Sequence, residues 1–121
     1  MKGGKMPEIY SNVLSELRSV DGVKMTALGS RDGFLISDYE TSDSEMLTLM
    51  GASMIRAAET AAKGFDRPSL NRVIVDFSGG KLIAASAGPK AVVSLMTNQE
   101  ASLDTIISKL DLIVDKIKEI I

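Results

Sequence analysis

Four carboxylates, Asp38, Glu40, Asp43 and Glu45, fall within eight positions, and acids at such density are the first candidates for a metal site. A calcium loop of the EF-hand type needs Gly at its sixth position for a sharp turn; Asp43 stands there. Asp43 and Glu45 are better explained by the positive end of a helix starting at this point. Ser78-Gly79-Gly80-Lys81 faintly resembles a phosphate loop, but GxxxxGK[ST] fails: the first glycine's place, five residues before Gly80, is Val75, and Leu82 occupies that of the hydroxyl residue. Both that segment and Ala87-Gly88-Pro89-Lys90 read as hairpin turns. The arginines are Arg18, Arg31, Arg56, Arg67 and Arg72. An arginine that assists a GTPase in trans must be exposed, and only Arg31 and Arg67, in expected loops, qualify. There is no Cys and no His, which removes thiol and Ser-His nucleophiles, disulfides and most zinc sites. No catalytic, cofactor-binding or metal-ligating residue is assigned, and the chain is not expected to be an enzyme.

The 121 residues suffice for one domain with a core of its own. With 45% hydrophobic and 25% charged residues the balance is globular. A net charge of −2 offers no footprint for nucleic acid. No apolar run nears the roughly 18 residues of a membrane span, and the N-terminus lacks the apolar stretch of a signal peptide. A cytoplasmic protein is expected, with residues 1–7 as a flexible lead-in and 8–121 as the single domain.

Ile9, Val13, Leu14, Leu17 and Val20 recur at helical spacing, ending at Asp21-Gly22. A strand from Val23 to Gly29 turns at Arg31-Asp32-Gly33, where Asp-Gly supplies the positive φ of a hairpin, and Phe34 to Asp38 returns as its partner. Ser42-Asp43-Ser44-Glu45 is a capping box opening a second helix that runs to Lys63 and stops at Gly64. Strands follow at Leu70–Ser78, Leu82–Ala87 and Ala91–Met96. The last two are apolar or small on both faces, as central strands are. Thr97-Asn98-Gln99-Glu100 resembles a second capping box before the last helix, whose apolar stripe runs from Leu103 to Ile121 with Leu112 misplaced. The order is αββαβββα: an α+β fold with a five-stranded antiparallel sheet and helices on both faces.

The second helix has an apolar arc of about 180°, wider than the roughly 100° that one packing surface uses. Met46, Leu47, Met50, Met54, Ala57 and Ala61 form one half; Gly51, Ile55, Ala58 and Ala62 form the other, nearly all small. The small half, with Leu47, is expected to meet an external partner, most simply a second copy across a two-fold. The strand Leu70–Ser78, with Arg72 and Asp76 around Ile74, reads as an edge that a second copy could extend.

Three stretches resemble the Roadblock (dynein light-chain) family. They are Val20-Asp21-Gly22-Val23 with Asp32-Gly33-Phe34-Leu35-Ile36; the Ala-rich helix Ser42 to Gly64; and Val73-Ile74-Val75 through Gly80-Lys81-Leu82-Ile83-Ala84 to Ala87-Gly88-Pro89-Lys90-Ala91. The resemblance implies a profilin-like α/β/α sandwich with one helix on one face and two on the other. It also implies dimers formed by the second helices and third strands, and a non-enzymatic module that binds and regulates a small Ras-like GTPase as scaffold or activator, without a cofactor. The alternative is a small-molecule-sensing or assembly scaffold of the same fold with no GTPase partner.

Overall fold

The computed structural model describes residues 5–36, 42–67 and 69–121. Helix α1 (Lys5–Arg18) leads to strand β1 (Val23–Ser30) and helix α2 (Ser42–Gly64). Then come β2 (Val73–Phe77), β3 (Gly80–Ala87), β4 (Ala91–Asn98) and helix α3 (Leu103–Ile120). The strands form one antiparallel sheet in the order β1-β4-β3-β2. Helix α2 packs on one face, α1 and α3 on the other. The layers are those expected, and β3 and β4 lie centrally beneath helices on both sides.

The strand count differs. The sheet has four strands and the order is αβαβββα. The expected partner strand Phe34–Asp38 is reduced, among the described residues, to one bridge between Gly29 and Leu35. Two backbone bonds close it: Ser30 N–H to the Phe34 carbonyl and Ile36 N–H to the Leu28 carbonyl, both 2.8 Å. The turn itself forms as expected, with Gly33 at φ +95°. Phe34 is 73% exposed, so no burial drives the return segment into a longer ladder; residues 37–40 lie outside the described residues. So do the N-terminal residues 1–4 and the side chain of Ser42, on which the first capping box depends. Helix α1 takes in Lys5–Pro7, which the sequence assigns to the lead-in; Pro in a first helical turn gives up no hydrogen bond. The second capping box is displaced. Ser102, not Thr97, caps α3, its hydroxyl accepting from Thr105 N–H at 3.4 Å. Thr97 lies in β4, where its Oγ1 accepts from Lys81 N–H at 3.1 Å.

The two sides of the sheet are packed differently. Beneath α1 and α3 lies the large core: Leu14, Leu17, Leu28, Ile83, Leu95, Ile106, Leu110 and Ile113, all buried. Leu112 falls outside it and is exposed, as the helical spacing requires. Beneath α2 the strands present small side chains, Ala27, Gly29, Ala84 and Ser94, all buried.

Glu16 ties α1 to α3. Its carboxylate accepts from Lys116 Nζ at 2.9 and 3.0 Å and from Lys109 Nζ at 3.5 Å. The Lys116 hydrogen bond, more than any other cause, holds the Glu16 pKa below its ordinary 4.5. A depressed folded-state pKa gives stability that is present above the unfolded value and lost as pH falls through the folded one. The melting temperature of the wild type is therefore expected to fall more steeply below about pH 4.5 than that of Glu16→Gln. Parallel acid limbs in thermal melts would remove the linkage.

Candidate functional site

Helix α2 is 23 residues long, about 34 Å at 1.5 Å per residue. The half of it expected to face a partner faces its own sheet. Ile55 is 1% exposed and packs with Ala84 and Val92. Leu47 packs with Ala27 and Leu82. Gly51 sits so close to β4 that a Cβ there would stand 1.9 Å from Ser94 Oγ. Ala58 and Ala62 lie half-buried on the same side. The physical reason is complementary smallness: small residues on α2 meet small residues on the strands, and the helix backbone settles low on the sheet.

The opposite half is the open one. Met46, Leu49, Met50, Ser53, Ala57, Thr60 and Ala61 are all exposed, and none is charged. An uncharged outer stripe is unusual for a helix with only solvent beyond it, since such faces carry polar and charged residues. Of the helix's charged residues, Asp43 lies in the first turn on one side, and Glu45, Arg56, Glu59 and Lys63 gather on the opposite flank. There Arg56 Nη1 donates to the Arg31 carbonyl at 2.7 Å, and the Arg31 guanidinium pairs with Glu59 and donates to Ser86 Oγ at 3.2 Å.

Along its other flank the stripe continues onto the sheet edge. Val75 and Phe77 of β2 are exposed on the α2 face, and β2 has no neighbour beyond it in the sheet. Between them lies an apolar pocket of about 220 Å³, lined by Met25, Met46, Met50, Met96 and Phe77, with Asp43 its one charged residue. Of the edge residues expected at an interface, Arg72 and Asp76 are engaged within the chain. Arg72 Nη2 donates to both Asp111 carboxylate oxygens, at 2.9 and 3.2 Å, and Lys81 Nζ to Asp76 at 3.4 Å. Ile74 is exposed on the α3 side of the edge. A groove of about 440 Å³ lies there, with Arg72, Asp111 and Lys118 in its lining.

The sequence reading nominated Arg72, Ile74 and Asp76 on one face, whereas strand alternation puts Val73, Val75 and Phe77 together on the other, the α2 face. The available signal was their apolar character on a strand that has to be an edge. Of the two arginines expected in loops, Arg31 is held by Glu59 and Ser86, whereas Arg67 is exposed. Among the described residues no group of three or more His, Cys, Asp or Glu could hold a metal ion, and no helix is long and apolar enough to cross a membrane.

A Roadblock/LC7 domain model matches residues 9–97. The chain belongs to the Roadblock/LC7 family. The match runs from α1 to the end of β4. Uncharacterized protein MJ0310 of Methanocaldococcus jannaschii is 26% identical to this Roadblock/LC7 chain over 112 residues, covering 91% of it and 97% of its own length. The gliding protein MglB of Thermus thermophilus superimposes with a TM-score of 0.84 at 19% identity, covering 97% of this chain and 91% of its own. An MglB structure with tetrameric arrangement gives 0.85 at 20% identity, covering 97% and 90%. These structural likenesses are likenesses of fold.

Proposed function

We propose that this Roadblock/LC7 domain is a non-enzymatic dimeric module that binds and regulates a small Ras-like GTPase, as scaffold or activator. One observation carries the reading: the uncharged outer stripe of α2 runs without interruption into the unpaired edge of β2. Apolar surface of this kind marks an interaction site, and an unpaired edge next to it offers backbone hydrogen bonds that a second copy can complete. Pairing β2 with its copy extends the sheet across a two-fold and brings the α2 stripes together. A GTPase then meets a surface that one chain alone does not make. Arg67, exposed beyond the end of α2, is the freer of the two arginines to meet a GTPase, since the Arg31 guanidinium is engaged by Glu59 and Ser86.

The test has two stages. Static light scattering is expected to report a dimer for the wild type and a monomer for Met50→Asp, with the circular dichroism of a folded domain retained because Met50 is exposed. GTP- and GDP-loaded small GTPases are then presented to both proteins. Retention by the wild type and not by Met50→Asp is the expected result. Equal binding by the two would detach GTPase recognition from pairing, and binding to no GTPase would leave an assembly scaffold.

A further inference from the structure

The two ends of the α2 stripe carry unlike features. At the N-terminal end is the methionine-lined pocket of about 220 Å³. At the C-terminal end, one residue past the helix, is Phe65, 79% exposed and, among the described residues, the most exposed of the large hydrophobic ones. Between them the stripe narrows to Ser53, Ala57 and Ala61, residues that let a second backbone come close. A cavity of roughly 150 Å³ is enough to hold a benzene ring, and Met walls adapt to an aromatic edge. We infer that the pocket of one protomer receives Phe65 of the partner subunit, so that each domain is completed by an aromatic side chain from its copy.

The inference rests on the dimer proposed above and adds its register. A two-fold across the α2 stripe runs the two helices antiparallel. Position i then lies opposite position j of the partner with i + j constant. Bringing the partner's Phe65 over Met46 sets that constant at 111, which places Met50 opposite the partner's Ala61 and Met54 opposite the partner's Ala57. At both of these positions a bulky residue meets a small one. The sheet gives the same sense independently. Pairing β2 with its copy antiparallel about Val75 sets Phe77, beside the pocket, against the partner's Val73. Val73 packs near Ile55 in the later half of α2, so the pocket end of one protomer adjoins the C-terminal half of the other helix. The charges agree as well. Asp43 lines the pocket, and the partner's Arg67 follows two residues after the ring, its side chain exposed.

The absence of cysteine makes the register readable by crosslinking. The chain carrying both Met46→Cys and Phe65→Cys is expected to form a covalent dimer with a short bismaleimide. Each single variant is expected not to, because like positions lie roughly 28 Å apart along antiparallel helices. Ala57→Cys, near the two-fold, is expected to crosslink to its own copy. Phe65→Ala is expected to raise the dimer dissociation constant about 10- to 100-fold, as for a buried aromatic anchor, while the melting temperature of the dilute monomer stays unchanged. A dimer in which Ala57→Cys crosslinks, the double variant does not and Phe65→Ala pairs as tightly as the wild type would overturn the pocket assignment and leave the dimer standing. Crosslinking by Met46→Cys alone would mean parallel helices and overturn it too. A wild type that stays monomeric at every concentration would overturn both.

Discussion

Gly80→Ala is expected to destabilise the domain by about 3 kcal/mol, the upper part of the range for overpacking, and to lower its melting temperature by roughly 10 °C. Gly80 opens β3 and is buried. A Cβ at this position would lie 2.0 Å from the Thr97 carbonyl oxygen and 3.1 Å from its carbon. The obstacle is backbone, not the end of a side chain that could swing away. It belongs to β4, which is hydrogen-bonded to β1 on one side and β3 on the other, so it cannot retreat without breaking a ladder. Circular dichroism melts of the two proteins decide the matter. A variant melting within about 2 °C of wild type, a shift worth less than about 1 kcal/mol, would show that the turn at Ser78-Gly79 can re-route to make room.

The second large effect separates folding from pairing. Ile55→Asp places a carboxylate in a site 1% exposed, against Ala84 and Val92. An unpaired buried charge costs about 3–5 kcal/mol, a large share of the roughly 5–15 kcal/mol typical of a whole domain. Ile55→Asp is therefore expected to lose its far-ultraviolet helical signal or to melt far below wild type. Met50→Asp, about one and a half turns earlier on the outer side, is expected to keep its fold and lose only its partner. A folded, cooperative monomer from Ile55→Asp would return the interface to the small half of α2.

That contrast shows where the sequence can be read and where it cannot. Helix α3 was legible because its stripe of Leu103, Ile106, Leu110, Ile113 and Ile117 has one width and one possible destination. The Asp32-Gly33 turn was legible because positive φ at Gly33 has few other uses. Helix α2 announced two partners through the width of its apolar arc, but width does not say which half belongs to which. Small residues permit close approach to any backbone, and here the backbone is the chain's own sheet. The missing clue lay in the strands. Ala27 with Gly29, Ala84 with Ser86 and Ser94 sit on one face at alternate positions, a row of small residues that fits only a row of small residues above it. The fifth strand was misjudged for a different reason. A turn signal fixes where a chain reverses, not how far the returning segment stays paired. On the edge strand, charge alone does not mark an interface, since Arg72 and Asp76 are also used within the chain, on Asp111 and Lys81.

The shallow packing under α2 has a thermodynamic consequence. Thr48 Oγ1 and Ser94 Oγ are buried there without hydrogen-bond partners, and each such hydroxyl weakens its surroundings by about 1–3 kcal/mol. The buried clusters on this side, around Leu47, Ile55, Leu82 and Val92, are smaller than the leucine- and isoleucine-filled layer behind the sheet, so local opening here is expected at lower free energy. Amide hydrogens of α2 in an isolated chain are therefore expected to exchange before those of α3, which hydrogen-exchange mass spectrometry would check. On the pairing proposed above, the twin's stripe would close that gap.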